Sequence, residues 1–416
     1  MHYRLTTVSN GLRVITEAMP SVRSVAVGCW VDTGTRDEAL TEAGASHFLE
    51  HLLFKGSDRY SARHIAETFD AIGADSNAFT SKDHTCFWAR LLDRDLPVGM
   101  DLLAEMLQRP AFRLNEIDAE RQVVIEEINM NDDDPADVAF EEFSQAVYSG
   151  HPLEAPVLGT RDSIRAMSRD DLHGYWQRRY GLGSTVVAMS GSVEHEYAVE
   201  LVENLFGRWM GDGVDHRFEE LTVKPQVRLV KRETEQAHLI IGTKGIDRAD
   251  DRRFAFDVMN HVLGGGMSSR LFTTIREDRG LAYAVYSFRN SHADTGAWGV
   301  YVGTTPSQAA LCLDLIAEEI ARICTEGITE EELVRAKGSL GGGLALAMED
   351  PNSRMVRLGR DELAGAPHLS IDERLARLES VSLEAVKEVA AAVLTGHKVM
   401  GVVGPFATGD LDKWVA

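Results

Sequence analysis

The run His47-Phe48-Leu49-Glu50-His51 carries the sharpest chemistry in this 416-residue chain. In an α-helix, positions i and i+4 lie one turn apart on one face, so two imidazoles at that spacing can grip one metal ion. Glu50 shares the face at i+3 and can reach a water at the metal as general base. The order His-x-x-Glu-His inverts that of the more familiar zinc helix. A catalytic zinc takes three protein ligands and keeps one position open, so a third ligand is required. Glu120-Arg-Gln-Val-Val-Ile-Glu126-Glu127 supplies the candidates. Glu120 and Glu127 are two helical turns apart and project from one face, whereas Glu126 points elsewhere, toward solvent. One of the pair could bind metal while the other orients a ligand histidine through its second ring nitrogen. Spacing alone does not choose between them.

The elements that must bring these segments together are legible as alternating strand and helix patterns. Ser24 to Val31 puts Val25, Val27, Cys29 and Val31 on one face of a strand. Asp75 to Leu92 holds a second strand at Cys86-Phe-Trp-Ala-Arg-Leu91, preceded by a polar turn. Helices are predicted over Leu96 to Met106 and from Asn115 to about Met130, and the β-branched Thr185 to Met189 should close the first sheet. The second half repeats this grammar. His238-Leu-Ile-Ile-Gly242 lies over the strand around Gly28 at an offset of 214 residues. Ile328-Thr-Glu-Glu-Glu-Leu lies over Leu114-Asn-Glu-Ile-Asp-Ala at the same offset, and Asn260-His-Val-Leu over Glu50-His-Leu-Leu at 210. These landmarks point to an ancient duplication. The fold class is therefore α+β, with two similar sandwich-like domains, each a mainly antiparallel sheet with helices packed on it. The boundaries read 1–212 for the domain with the histidines, 213–226 for a Gly-, charge- and Pro225-containing linker, and 227–416 for the second domain. With His51 laid over His261, Asp257 and Asn260 stand where His47 and Glu50 do. The second half thus lacks the base and the histidine pair and should be catalytically silent.

Composition narrows the partners. Lys and Arg number 43 against 65 Asp and Glu, a formal charge of −22, with 44% hydrophobic and 26% charged residues. Such a surface repels nucleic-acid backbones and anionic membranes and attracts basic peptides. The four cysteines, Cys29, Cys86, Cys312 and Cys324, form no CxxC pair, so neither a thiolate zinc site nor a disulfide framework is indicated. The N-terminus carries no signal-like apolar run, and no stretch approaches a membrane span. A soluble cytoplasmic protein is the expectation. The acidic run Asp132 to Asp137 reads as a solvated loop. Gly264-Gly-Gly-Met-Ser-Ser lacks the residues of a phosphate loop and reads as a helix end and loop. Gly341-Gly-Gly reads as a close helix contact or kink.

Together these residues resemble the pitrilysin-type inverzincin zinc metallopeptidases, and among them the mitochondrial-processing-peptidase-like branch of bacterial type. The likeness rests on His47-Phe-Leu-Glu-His51 followed 76 residues later by Glu127, and it spans essentially the whole chain. It includes Ser9-Asn-Gly-Leu-Arg13, Gly34-Thr-Arg-Asp-Glu38, His51-Leu-Leu-Phe-Lys-Gly56 and Leu263-Gly-Gly-Gly-Met-Ser-Ser-Arg-Leu-Phe272. The resemblance implies one Zn²⁺ per chain on His47, His51 and Glu127, with Glu120 as the orienting carboxylate and Glu50 activating the water that attacks the scissile carbonyl. It implies that Asn77, Ala78 and Phe79 enter a strand whose edge accepts an extended peptide. It further implies that Arg276 and Tyr283, seven apart, hold the substrate carbonyl, and that the Gly264 loop lines a substrate chamber. Members of the family enclose unfolded peptides between two such two-domain halves. A homodimer is therefore expected here, with Arg276 and Tyr283 acting on the partner's zinc. The alternatives are a non-catalytic peptide-binding subunit and a catalytic subunit that needs a distinct partner chain.

Overall fold

The computed structural model describes residues 3–209, 211 and 218–416. The first half runs β1 (Arg4–Thr7), β2 (Arg13–Ala18), β3 (Ser24–Val31), α1 (Ala45–Leu53), α2 (Ala62–Ala71), β4 (Asp75–Thr80), β5 (Thr85–Leu92), α3 (Leu96–Gln108), α4 (Leu114–Asp133), α5 (Pro135–Val147), α6 (Arg161–Ala166), α7 (Arg169–Arg179), β6 (Thr185–Gly191) and α8 (His195–Phe206). The second half runs β7 (Gln226–Lys231), β8 (Ala237–Lys244), α9 (Arg253–Asn260), β9 (Ala282–Ser291), β10 (Gly296–Thr304), α10 (Ala309–Glu326), α11 (Glu330–Ala347), α12 (Pro351–Leu363), α13 (Ile371–Glu379), α14 (Leu383–Leu394) and β11 (Val399–Gly404).

The first sheet is ordered β1-β2-β6-β3-β5-β4 and the second β7-β11-β8-β10-β9. Without β1 the two orders match strand for strand, and in each only one neighbouring pair, β2 with β6 and β7 with β11, is parallel. Duplication and the mainly antiparallel α+β class are both evident. β6 lies inside its sheet, between β2 and β3, and the edges are β1 and β4.

Two compact units emerge, and they do not divide at a single point. The first takes the described residues of Met1–Ile128, Ala155–Arg217 and Leu346–His368, and the second those of Asn129–Glu154, Phe218–Ala345 and Leu369–Ala416. Helix α12 thus belongs to the first unit although the chain reaches it late, and α5 belongs to the second although the chain reaches it early. Of the expected linker, residues 213–217 lie outside the described residues.

Each sheet is buried on both faces. In the first unit Val25, Val27, Cys29 and Val31 of β3 pack with Phe48 and Leu49 of α1, Leu103 of α3 and Val124 of α4. The opposite face of the same strand, Ala26 and Trp30, packs with Met355 and Leu358 of α12. In the second unit Leu239, Ile241 and Val300 meet α9, α10 and α14, while Ile240, Val399 and Val403 meet Val138, Ala139 and Phe143 of α5. Close approach of α5 to β11 depends on Gly401, where a Cβ would stand 2.3 Å from the Phe143 backbone nitrogen. Both helices open on Asp-Pro: Asp134 and Asp350 cap them, and Pro135 and Pro351 occupy the first turn, where a missing N–H costs nothing.

Two sequence expectations are corrected. The acidic run is not a solvated loop, because α4 continues to Asp133 and Asp134 immediately caps α5. Gly341, Gly342 and Gly343 continue α11 as helix, and a Cβ on Gly342 or Gly343 would meet nothing within 4 Å. Only Gly341 of the three faces a neighbour, the side chains of Leu375 and Leu378 on α13.

Candidate metal centre

Helix α1 begins where Gly44 turns into the left-handed region, φ +89°. Glu38 secures that end: its two carboxylate oxygens accept the Gly44 and Ser46 backbone N–H groups at 2.7 Å each. Burial pushes the Glu38 carboxyl up to about 8 against the pull of these N–H donors. Phe48, Leu49, Leu52 and Leu53 face the core, which leaves His47, Glu50 and His51 on the other side. Helix α4 runs beside α1 and carries Ile117, Glu120, Val124, Glu127 and Ile128 at helical spacing along one stripe, with the Arg121 guanidinium over the Phe48 ring at 5.5 Å.

Three ligand atoms converge. The Nε2 atoms of His47 and His51 are 3.2 Å apart, and Glu127 Oε2 lies 3.4 Å from each. A tetrahedral zinc about 2.0–2.1 Å from its ligands separates them by about 3.3 Å, so this triangle has the size that such an ion requires. Among the described residues no other group of three His, Cys, Asp or Glu side chains comes together in this way. The donor set, two imidazoles and a carboxylate, is one that zinc accepts. Glu120 meets His51 at its other ring nitrogen: its Oε1 lies 3.0 Å from His51 Nδ1, and its Oε2 2.7 Å from Lys55 Nζ. Glu126 is exposed, as its helical position requires.

Charge is unevenly spread across the pair of histidines. Burial and the charge of His51 hold His47 down at about 4. For His51 burial acts downward too, but the hydrogen bonds and charges of Glu120 and Glu127 outweigh it and hold the ring at about 9. Burial raises the Glu50 carboxyl, against a hydrogen bond that Thr80 Oγ1 donates to its Oε2 at 2.6 Å. Thr80 closes β4, the edge strand that also carries Asn77, Ala78 and Phe79. Asn77 is exposed there, and its Oδ1 accepts the Ala78 N–H at 2.9 Å.

Arg276 and Tyr283 belong to the second unit and meet each other. Arg276 donates to the Tyr283 carbonyl at 2.9 Å, and its guanidinium lies over the Tyr283 ring at 4.5 Å. Between β9 and β10 the register slips so that Gly303 pairs with Ala284 and Thr304 with Ala282. Tyr283 is the residue skipped, and it is 78% exposed. Bulges re-aim side chains in this way. The counterpart of the metal helix in this unit is differently occupied: Asp257 pairs with Arg289, and Asn260 accepts from Trp298 Nε1 at 2.9 Å. The Gly264 stretch begins as a π-turn over His261–Gly265, with Met267 exposed beyond it.

Sequence reasoning passed over Glu38, Lys55 and Thr80 as site residues. Lys55 offered a signal, four residues past His51, and Thr80 another, at the end of the Asn77 segment. Glu38 lies too far from His47 for any local periodicity to link them.

Two sandwich-like halves, one of them with a metal-ready helix face, define the class to which the comparisons with known proteins then give a name. Residues 13–161 match the insulinase family (peptidase family M16), and residues 166–340 match the peptidase M16 inactive domain. An uncharacterized zinc protease of Mycobacterium leprae is 43% identical over 97% of this chain and 92% of its own length. The uncharacterized zinc protease YmxG of Bacillus subtilis is 40% identical over 96% of this chain and 97% of its own. A peptidase M16 inactive domain structure from Pseudomonas fluorescens superposes with a TM-score of 0.91 at 20% identity, covering 98% of this chain and 99% of that one. A protease from Helicobacter pylori gives 0.90 at 20% identity over 97% and 99%. The chain belongs to peptidase family M16. Among the described residues no helix is long and apolar enough to cross a membrane.

Proposed function

We propose that this protein is a zinc-dependent endopeptidase that hydrolyses unfolded, preferentially basic peptides or presequence-like segments. The observation that carries the reading is the triangle of His47, His51 and Glu127 ligand atoms, 3.2 to 3.4 Å on a side, with Glu50 on the same helix face. Relatives named zinc proteases across nearly the full chain support it.

His47, His51 and Glu127 would hold one zinc per chain, and Glu120 would orient His51. Bound zinc supplies Lewis acidity toward the scissile carbonyl and makes water acidic enough to lose a proton near neutral pH. Glu50, kept in place by Thr80, takes a proton from the attacking water as its oxygen bonds to the peptide carbon. The same carboxyl returns that proton to the amine as the carbon–nitrogen bond breaks. Asn77, Ala78 and Phe79 offer the substrate backbone a strand edge. Arg276 and Tyr283 steady the substrate carbonyl as its oxygen gains charge, and a second copy of the chain completes the enclosure. The reading takes the cytoplasm as its compartment, supported by four free cysteines, three of them buried.

The test is cleavage of a basic, unstructured peptide of about 20 residues, with zinc content measured alongside. Wild-type protein should cleave, and Glu50→Gln should hold zinc yet lose at least about 10³-fold in turnover. Equal turnover by both proteins, or none by either with zinc bound, sinks the proposal and turns attention to a binding role or a missing partner subunit.

A further inference from the structure

Lys55 follows His51 by one helical turn at the end of α1, where its backbone N–H still bonds to the Leu52 carbonyl. Its Nζ lies 2.7 Å from Glu120 Oε2, while Glu120 Oε1 lies 3.0 Å from His51 Nδ1. Glu120 itself is only 5% exposed. Lys55 is the one Lys or Arg side chain in contact with this carboxylate among the described residues.

We propose that Lys55 is a positioning residue for the metal centre, acting through Glu120 to fix the ring of His51. The inference rests on the zinc reading above. The terminal torsion of a glutamate is broad and nearly two-fold, so one hydrogen bond leaves the carboxylate free to swing. Two charge-assisted contacts, one on each oxygen, remove that freedom. Lys55 Nζ supplies the contact on Oε2 of this buried carboxylate, the oxygen that His51 does not engage, so each oxygen is held by a different partner. Without the ammonium Glu120 loses one of its two contacts and turns toward water, and His51 loses the partner that sets its orientation.

Zinc affinity of the full chain, measured by competition with a chelating dye, tests the inference without reference to turnover. Loss of a partner to a ligand histidine typically weakens metal binding by about 10–100-fold, and Lys55→Met should reach about tenfold. Lys55→Arg should stay within about threefold of wild type, since it keeps charge and reach. The double variant Lys55→Met/Glu120→Gln should bind no more weakly than Glu120→Gln alone, because one path is already cut. With zinc saturating, KM for the basic peptide should be unchanged in Lys55→Met while kcat falls. Wild-type affinity in Lys55→Met, or losses that multiply in the double variant, overturns the role. Thermal melting of the zinc-free proteins identifies a variant that has merely lost its fold, and Lys55→Gln and the Arg variant then decide. If His47→Ala leaves zinc affinity at the wild-type value, the zinc reading itself has failed. A loss in His47→Ala without one in Lys55→Met sinks only the inference about Lys55.

Discussion

His47 and His51 turn their Nε2 atoms toward each other across 3.2 Å, with a carboxylate oxygen closing the triangle. Two imidazoles and a carboxylate at these distances form a donor set of the kind that zinc accepts. Their neighbours are arranged to match. Three contacts are made, His51 Nδ1 with Glu120, Glu120 with Lys55 and Glu50 with Thr80, whereas His47 Nδ1 is buried with no hydrogen-bond partner among the described residues. Thr80 is the most direct of these to probe. Thr80→Val keeps the shape of the side chain and deletes the hydroxyl, so Glu50 loses the donor that aims it. We expect kcat to fall about tenfold or more with KM changed little, and Thr80→Ser to restore most of it. An unaltered kcat in the valine variant would mean that packing alone orients Glu50.

At the scale of elements, α12 is tied to the first sheet by charge as well as by apolar contact. Glu17 of β2, 3% exposed, pairs with both Arg354 and Arg357 of α12. Truncation by Glu17→Ala removes the carboxylate shared by two mostly buried guanidinium groups and should destabilise the first unit by about 3 kcal/mol in urea unfolding. A loss under about 1 kcal/mol would show that water reaches the arginines freely. Helix α8 is anchored differently. His195, at its first residue, holds the hydroxyls of Thr6 and Thr16 at 2.8 Å on its two ring nitrogens. Burial, and then the charge of Arg4, lowers its pKa from 6.5. The unfolded chain therefore binds this proton more readily than the folded one, and stability contributed here is present above pH 6.5 and lost as pH falls below it. Between pH 6.5 and 5, unfolding free energy should decline less steeply in His195→Gln than in wild type, by up to about 1.4 kcal/mol per pH unit. Parallel pH profiles would remove His195 from the acid sensitivity.

For the whole molecule the informative feature is asymmetry between duplicated halves. One has the histidines and Glu50; the other has Asp257 and Asn260 in their place, engaged by Arg289 and Trp298. The second half instead presents Arg276 stacked on an exposed Tyr283. If the active species is a homodimer that shares these groups, two defective chains can repair each other. Glu50→Gln mixed with Arg276→Ala/Tyr283→Phe should recover measurable peptide cleavage, about a quarter of wild type if subunits exchange freely and each site needs one sound copy of both parts. Absence of recovery, with mixed dimers demonstrated by mass, would assign Arg276 and Tyr283 to their own chain or to no catalytic part.

Local geometry explains what could be read without coordinates. Spacings of four and seven residues are properties of any α-helix, so the shared faces of His47, Glu50 and His51, and of Glu120 and Glu127, follow from the letters alone. Strand β3 was legible down to its ends for the same reason, and the recurring offset of 214 residues exposed the duplication. Spacing could not say which of Glu120 and Glu127 meets the Nε2 atoms of both histidines, because both lie on one stripe. That depended on where α4 rests along α1, which is a matter of packing. Thr80 reaching Glu50, Glu38 capping α1 and Lys55 completing the Glu120 bridge are likewise contacts between separate segments. The exchanged helices α5 and α12 left no periodic trace of their destination. A helix with an apolar face can cover any sheet, and close approach at Gly401 and the two arginines on Glu17 decide which one it covers.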